Sequence, residues 1–186
     1  MITEFEGIRV EPTRFAEAKV FVPVVHDDHR GTFQENYSRR KYKALGISDD
    51  FVQDSMSASA RNTIRGLHCD YAMSKLVQCI RGRVWDVILD FRPDSPTYLH
   101  WQGFYLTEKN CRQLFVPAGF GHAFFALTDA WLVYKQSSHH DPATEVCLRW
   151  NDPGLAIAWP GKPRFPIISD KDANAPLIHR EREAAA

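Results

Sequence analysis

The sequence predicts an all-β fold, a sandwich or barrel of short antiparallel strands with few helices. About ten short apolar runs are rich in β-branched and aromatic residues, as strands are. Clusters of Gly, Pro and Asp separate these runs and predict turns between them. Helical periodicity is almost absent, so we expect the strands to form a closed or double-layered sheet.

In the first half of the chain, short apolar runs bounded by polar residues predict strands at residues 20–25, 32–36, 51–55, 63–68 and 75–80. Residues 38–45 predict a short helix, because strong helix formers are followed directly by Gly46.

The clearest strand pattern lies at residues 84–91, Val-Trp-Asp-Val-Ile-Leu-Asp-Phe. Alternation places the odd-numbered apolar residues on one face and Asp86 and Asp90 on the other. Two interpretations of Asp86 stay open: an inward carboxylate paired with Lys75 or His68, or the solvent face of a half-buried strand. The remaining strands are predicted at residues 101–106, 113–116, 123–127 and 131–136.

Composition excludes several classes of function. The 186 residues carry a formal net charge of zero and contain no basic cluster, which argues against nucleic-acid binding. No apolar run reaches membrane-spanning length, and the N-terminus lacks a signal-peptide pattern. The four scattered cysteines contain no Cys-x-x-Cys pair, so we expect reduced thiols in a cytoplasmic protein.

The length predicts one domain spanning residues 1–186, with a core at about 20–160. We expect the segment 161–186 to pack onto that core. Its last residues, which are charged and Ala-rich, predict a frayed tail.

Three predicted strands carry groups for proton-transfer chemistry. His68 is the candidate base, although a strand histidine taken alone is more often a core residue. Lys75 is a candidate cation for an enolate oxygen, and Tyr134 is a candidate acid. A base, a cation and a phenol on one β scaffold can remove and return a proton beside a carbonyl.

Alternation raises a difficulty for the candidate pocket. Arg65 and His68 lie an odd number of residues apart and should therefore face opposite sides of a regular strand. A bulge at Gly66 would bring both to one side. The carboxylate that orients His68 stays open between Asp86 and Asp172, because such partners are neighbours only in space.

His122 ends the pattern Pro117-x-Gly119-x-x-His122, which is similar to the second motif of metal-binding cupins. A metal-dependent enzyme using His68, Asp70 and His122 is therefore one alternative. The first region holds a single His rather than His-x-His, so we expect no metal and no other cofactor.

Ten motifs together carry a family resemblance. They are Asp28-His29-Arg30-Gly31-Thr32-Phe33-x-Glu35, Val52-Gln53-Asp54, Ile64-Arg65-Gly66-Leu67-His68, Lys75-Leu76-Val77, Gly82 with Asp86-Val87, Asp94-Ser95-Pro96-Thr97, Gln113-Leu114-Phe115-Val116-Pro117, Gly119-Phe120-Gly121-His122, Val133-Tyr134-Lys135 and Trp150-Asn151-Asp152-Pro153. With them the chain resembles the nucleotide-sugar 3,5-epimerases typified by dTDP-4-dehydrorhamnose 3,5-epimerase. The resemblance implies a cupin jelly-roll barrel and a homodimer.

The resemblance also implies roles for individual residues. His68 matches the base, Asp172 the carboxylate that orients it, Tyr134 the acid and Lys75 the lysine beside the C4 oxygen. Candidate substrate-binding residues are Arg30, Glu35, Gln53, Ser55, Arg65, His122, His140, Glu145 and Lys171. Of these, Arg30 and Glu35 match residues contributed across a dimer interface.

The implied reaction is epimerisation at C3, C5 or both carbons of a nucleotide-linked 4-keto-6-deoxy sugar or 4-keto heptose. Several positions depart from the family pattern: Cys69 and Asp70 replace an aromatic-plus-Gln pair, and Ser55 stands where Asn is usual. These departures suggest that a GDP- or CDP-linked substrate is as credible as a dTDP-linked one. Further alternatives are a C3-only epimerase, a 3,4-ketoisomerase and a binding module that has lost catalysis.

Overall fold

The all-β prediction is confirmed by a computed structural model that describes residues 3–178. The strands within this part of the chain are β1 (Glu4–Phe5), β2 (Ile8–Pro12), β3 (Lys19–Pro23), β4 (Val25–Asp28), β5 (Gly31–Gln34), β6 (Gln53–Ser59), β7 (Ile64–Cys69), β8 (Lys75–Arg81), β9 (Arg83–Asp90), β10 (Trp101–Thr107), β11 (Gln113–Val116), β12 (Phe120–Ala126), β13 (Ala130–Gln136) and β14 (Val146–Cys147). The helices are α1 (Arg39–Ala44) and α2 (Asp170–Ala173). The predicted frayed tail lies outside the described residues.

Two antiparallel sheets form the body of the molecule. The larger has seven strands in the order β1-β2-β3-β11-β8-β13-β6, and the smaller has five in the order β10-β9-β12-β7-β14. Strands β4 and β5 form a separate hairpin. No helix within residues 3–178 is both long and apolar enough to cross a membrane.

The main core fills the space between the two sheets. Val77 and Leu132 enter it from the larger sheet, and Ile88 and Phe124 enter it from the smaller sheet. Burial of side chains such as these stabilises the fold by about 1.5–3 kcal/mol each. Because each sheet contributes only alternate residues to this core, its other residues point to the outer faces.

Both outer faces are also covered. Tyr42 and Leu45, from helix α1 and the residue after it, pack over the larger sheet with Phe21. Trp159 and Ile178, from the C-terminal segment, pack over the smaller sheet. A sheet covered on both faces has no solvent-facing side on its central strands.

Strand β9 is packed on both faces, with Val84 and Ile88 in the core between the sheets and Val87 and Leu89 under the C-terminal segment, so neither face lies in water. The solvent-face interpretation of Asp86 is wrong, because the residue is fully buried between the sheets. Asp90, at the end of the same strand, is also fully buried and is held by Arg92. Strands β1, β2, β4 and β14 were not predicted. Strands β1 and β14 have only two residues each, and the polar β4 was assigned to a turn.

The predicted bulge in β7 is present. His122 pairs with His68 and Phe124 pairs with Arg65, so β7 uses one more residue than β12 over this step. Gly66 lies within the step and has φ +111°. A Cβ at this position would approach the carbonyl oxygen of His122 to 2.5 Å, so the close approach of the two backbones requires glycine.

Candidate active site

A cavity of about 280 Å³ opens between the two sheets. Strands β6, β7, β8, β12 and β13 supply most of its walls. Nine residues singled out from the sequence line it: Gln53, Ser55, Arg65, His68, Lys75, His122, Tyr134, His140 and Glu145. Because the bulge at Gly66 removes the strict alternation of β7, Arg65 and His68 both face this cavity.

The carboxylate partner of His68 is Asp172. His68 Nε2 donates to Asp172 Oδ1 across 2.6 Å, and the Gly66 backbone N–H donates to Oδ2. Helix α2 positions Asp172, and the Ser169 side chain caps that helix by accepting from the Asp172 N–H. Burial alone would raise the pKa of Asp172, but the hydrogen bonds from His68 and Gly66 keep it below its ordinary value.

The other ring nitrogen of His68 faces a second carboxylate. Glu145 Oε1 lies 3.6 Å from Nδ1, and the opposite oxygen of Glu145 forms a short ion pair with Lys171. Burial opposes ionisation of Glu145, but Lys171 and then His68 outweigh it and lower the pKa of this carboxyl. His68 is therefore enclosed by one carboxylate on each side.

Asp86, the other candidate partner of His68, instead binds His122. His122 Nε2 donates to both oxygens of Asp86, at 2.9 and 3.0 Å. Burial raises the pKa of Asp86, and the neighbouring His122 and Lys75 offset part of that increase. Of this buried pair, His122 lines the cavity and forms part of its floor.

Lys75 is a half-buried cation of the site. Burial lowers the pKa of its ammonium group, while the carboxylates of Glu145, Asp70 and Asp86 act in the opposite direction. A weakly hydrated ammonium in such surroundings interacts strongly with a developing negative charge.

Tyr134 completes the set. Its hydroxyl lies 2.9 Å from Ser57 Oγ, and its ring meets His122 edge-on with a centroid distance of 6.3 Å. Burial raises the pKa of the phenol well above its ordinary value. The side chain therefore stays protonated and can act as a hydrogen donor.

Three residues near the cavity were missed from the sequence. Gln136 accepts from Ser55 at 2.5 Å and from Gln53 at 3.2 Å, Phe124 lines a wall, and Ser57 binds Tyr134. The alternation of β13 held a signal for Gln136, because residues 134 and 136 share one face.

Three predicted binding residues do not line this cavity. Arg30 lies on the β4–β5 hairpin, exposed, with its guanidinium on Asp28. Glu35 follows the hairpin and pairs with Lys41 at 2.9 Å. Lys171 reaches the cavity only through its ion pair with Glu145.

The structure does not assemble the metal set considered from the sequence. Asp70 accepts from the Ala72 N–H, and His122 is bound by Asp86. Within the described residues, the side chains close enough to share a metal ion are His68, Glu145 and Cys147.

Comparison with known proteins places the chain in one family. The family model for dTDP-4-dehydrorhamnose 3,5-epimerase matches residues 12–180. A dTDP-4-dehydrorhamnose 3,5-epimerase from Pseudomonas aeruginosa is 42% identical over 169 residues, which is 88% of this chain and 93% of that protein.

Solved structures agree with that comparison. A dTDP-4-dehydrorhamnose 3,5-epimerase from Bacillus anthracis, with TDP and pyrophosphate bound, superposes with a TM-score of 0.88 at 41% identity, covering 92% of this chain and 99% of that one. The epimerase from Legionella pneumophila, in complex with dTDP-4-keto-L-rhamnose, has a TM-score of 0.88 at 38% identity, covering 92% and 93%.

Proposed function

Because the chain belongs to the dTDP-4-dehydrorhamnose 3,5-epimerase family, we propose that it is an isomerase inverting C3 and C5 of a dTDP-linked 4-keto-6-deoxy sugar in deoxysugar biosynthesis. The observation that carries this proposal is that a carboxylate-bound histidine, a half-buried lysine and a neutral tyrosine lie around one cavity. We also propose that residues 1–186 act as one epimerase domain.

In the proposed mechanism His68 removes a proton from the carbon next to the C4 ketone. Asp172 holds the Nε2–H group, so the lone pair of the imidazole lies on Nδ1. The electrons of the C–H bond move into the carbonyl, and the ammonium group of Lys75 stabilises the resulting enolate oxygen. Because the ketone accepts the electrons, the step needs neither a metal nor a redox cofactor.

Tyr134 then returns a proton to the opposite face of the same carbon. The enolate electrons re-form the C–H bond, the ketone is restored, and the configuration is inverted. His68 and Tyr134 regain their starting protonation states by exchange with water. C3 and C5 both adjoin C4, so the same groups serve each carbon after the sugar shifts within the site.

The remaining polar residues of the cavity are proposed to hold the substrate. Arg65 supplies a permanent cation for the diphosphate. Candidate hydrogen-bonding partners for the sugar and nucleotide are Gln53, Ser55, His122, His140, Glu145 and Lys171. The relatives described above are named for dTDP sugars, which supports dTDP over the GDP- and CDP-linked alternatives.

We further propose a homodimer in which Arg30 and Glu35 serve the partner's site. Phe33 is 72% exposed on the β4–β5 hairpin, and Val25 is exposed on the same hairpin. Met56 is exposed on the edge strand β6. Apolar side chains of this kind are typical of a surface that another protein covers. Mixing inactive Arg30→Ala with inactive His68→Asn should restore activity, because a mixed dimer contains one intact site.

The experiment that tests the reaction is exchange in deuterium oxide followed by NMR. The protein is incubated with dTDP-, GDP- and CDP-linked 4-keto-6-deoxy sugars. Deuterium at both C3 and C5 of the dTDP sugar, absent with His68→Asn, is the expected result. Deuterium at C3 alone would identify a C3-only epimerase. A product with its ketone at C3 instead of C4 would identify a 3,4-ketoisomerase. Binding of the dTDP sugar without exchange would favour the binding module.

A further inference from the structure

We propose that His68, Glu145 and Cys147 form a site for a thiophilic divalent cation such as Zn²⁺, and that filling it inhibits the enzyme. The ligand atoms of the three side chains lie within 4.8 Å of one another, and all three residues are half-buried. Cys147 has no part in the reaction proposed above. The inhibitory role rests on the proposed function, because the cation would occupy the base of that reaction. Binding of the cation does not depend on the proposed function.

The strand geometry builds this cluster. Cys147 lies directly opposite His68 in the ladder between β14 and β7, and directly opposite side chains project from the same face of a sheet. Glu145 lies directly before β14, and its carboxylate is turned to the Cys147 thiol on that side. The three ligands therefore come together through the register of β14 and the residue that precedes it.

The distances suit a small tetrahedral ion. Glu145 Oε1 lies 3.6 Å from His68 Nδ1, and Glu145 Oε2 lies 3.8 Å from Cys147 Sγ. Zinc binds such atoms at about 2.0–2.3 Å, so two ligands of a tetrahedral ion lie roughly 3.3–3.6 Å apart. The three ligand atoms lie within 4.8 Å of one another, so side-chain rotations would have to bring them closer around the ion. The open cavity leaves the fourth position for water.

The surroundings of His68 also match those of a metal ligand. A ligating histidine almost always donates its second ring N–H to a carboxylate or carbonyl, which fixes the tautomer. Asp172 supplies that carboxylate at Nε2, and Nδ1 is left towards Glu145 and Cys147.

Three features oppose the cation and limit its affinity. Lys171 pairs with Glu145 and must turn away, which is feasible because its side chain is 52% exposed. The Cys147 thiol must release its proton to solvent as the sulfur–metal bond forms. Lys75 remains nearby as a competing positive charge. We therefore expect binding in the micromolar range rather than the tighter range of structural zinc sites.

The binding test uses Co²⁺, because a cobalt–thiolate bond gives a near-ultraviolet charge-transfer band. Titration of the full chain should produce this band, and Zn²⁺ should abolish it by displacement. Cys147→Ser should lose the band, and Cys111→Ser, which removes another half-buried thiol outside the cluster, should keep it. A wild-type protein without the band, or a band retained in Cys147→Ser, would overturn the site.

The inhibition test uses the deuterium-exchange assay under the same conditions. At a Zn²⁺ concentration ten times the dissociation constant, wild type and Cys111→Ser should lose about tenfold in rate and recover with a chelator. Cys147→Ser should keep its rate with and without Zn²⁺. A saturated cobalt band without inhibition by Zn²⁺ would overturn the inhibitory role. An intact band in a wild-type protein that shows no exchange would refute the proposed function and leave the metal site standing.

Circular dichroism and thermal unfolding of each variant exclude misfolding as the cause of a lost band. Glu145→Gln provides a second route to the same conclusion, because an amide oxygen is a weaker zinc ligand than a carboxylate. It should weaken cobalt binding while retaining a thiolate band at saturation. Asp170→Asn, which alters an exposed carboxylate on α2, is the control. If Glu145→Gln and Asp170→Asn changed the cobalt affinity equally, Glu145 would not be a ligand of the metal.

Discussion

Two histidine–aspartate pairs within residues 3–178 differ in the part of the chain that supplies the aspartate. Asp172 reaches His68 from the C-terminal helix α2, and the imidazole side chain is 27% exposed to the cavity. Asp86 and His122 lie on neighbouring strands of one sheet, and their side chains are 0% and 7% exposed. The imidazole is therefore accessible in the first pair and buried in the second, whereas both aspartates are buried.

The difference in burial separates a reactive pair from a supporting one. His68 uses one nitrogen for Asp172, and its other nitrogen lies 3.6 Å from Glu145 at the wall of the cavity that a substrate can enter. The buried His122 binds both oxygens of Asp86, and the pair lies beside Lys75 and Tyr134. We infer that the first pair transfers protons and that the second holds the floor of the cavity in place.

The largest expected effect comes from removing the accessible imidazole. His68→Asn should lower kcat about a thousandfold, because a positioned general base contributes about 10²–10⁴ to the rate. Deuterium exchange should disappear at both carbons. His122→Asn is the matched change in the buried pair and should cost about tenfold in rate, because it disturbs the floor and not the base. Equal losses in the two variants would contradict the assignment of roles.

The next effect comes from the aspartate that orients the base. Asp172→Asn should lower kcat about a hundredfold with little change in KM, because an amide no longer fixes the imidazole tautomer. Asp170→Asn alters an exposed carboxylate on the same helix and should keep the rate of the parent protein. A hundredfold rise in KM with unchanged kcat would mean that Asp172 binds substrate.

The buried Asp86–His122 pair should contribute more to the free energy of unfolding than the Asp172–His68 pair does. Asp86→Asn should lower the free energy of unfolding by about 2 kcal/mol, because the amide satisfies His122 less well in a site closed to water. Asp172→Asn should cost about 1 kcal/mol or less, because His68 can also bind water. Denaturant unfolding of both variants provides the measurement, and the reverse order would refute the comparison.

The smallest effect is a shift in pH dependence. Burial lowers the pKa of Lys75, so kcat/KM should fall on the alkaline side below the ordinary lysine pKa of about 10.4. Tyr134 does not cause this fall, because burial raises its pKa. The Asp86 carboxylate partly sustains the ammonium, so Asp86→Asn should move the fall to lower pH by a fraction of a unit.

The control for this prediction is Lys75→Arg. A guanidinium stays charged throughout the measured range, so the alkaline fall should disappear even where the rate is reduced. If the alkaline fall in kcat/KM stayed unchanged in Lys75→Arg, a group other than Lys75 would cause it.

Local sequence patterns predicted much of the fold and most of the residues that line the cavity. Strand β11 has the predicted bounds, and α1 lies within the predicted helix. The prediction placed His68, Lys75 and Tyr134 on strands, and the structure has them on β7, β8 and β13. These features depend on alternation and on turn residues within a few positions of each other, and both can be read from the sequence.

Other features depended on contacts between distant segments. The choice between Asp86 and Asp172 was decided by the docking of α2, because residues 68 and 172 are 104 positions apart. Burial of Asp86 was decided by the second sheet, which covers the face that alternation alone would leave in water. The opposition of Cys147 to His68 was decided by a two-residue strand that has no pattern of its own.

The sequence by itself therefore determined the all-β class, the family and the types of side chain available for proton transfer, because these depend on local order along the chain. Only the tertiary structure decided which carboxylate meets which histidine, and which residues face the cavity. Those pairings depend on strand register and on the packing of one layer against another, and neither is encoded in the spacing of residues along the chain.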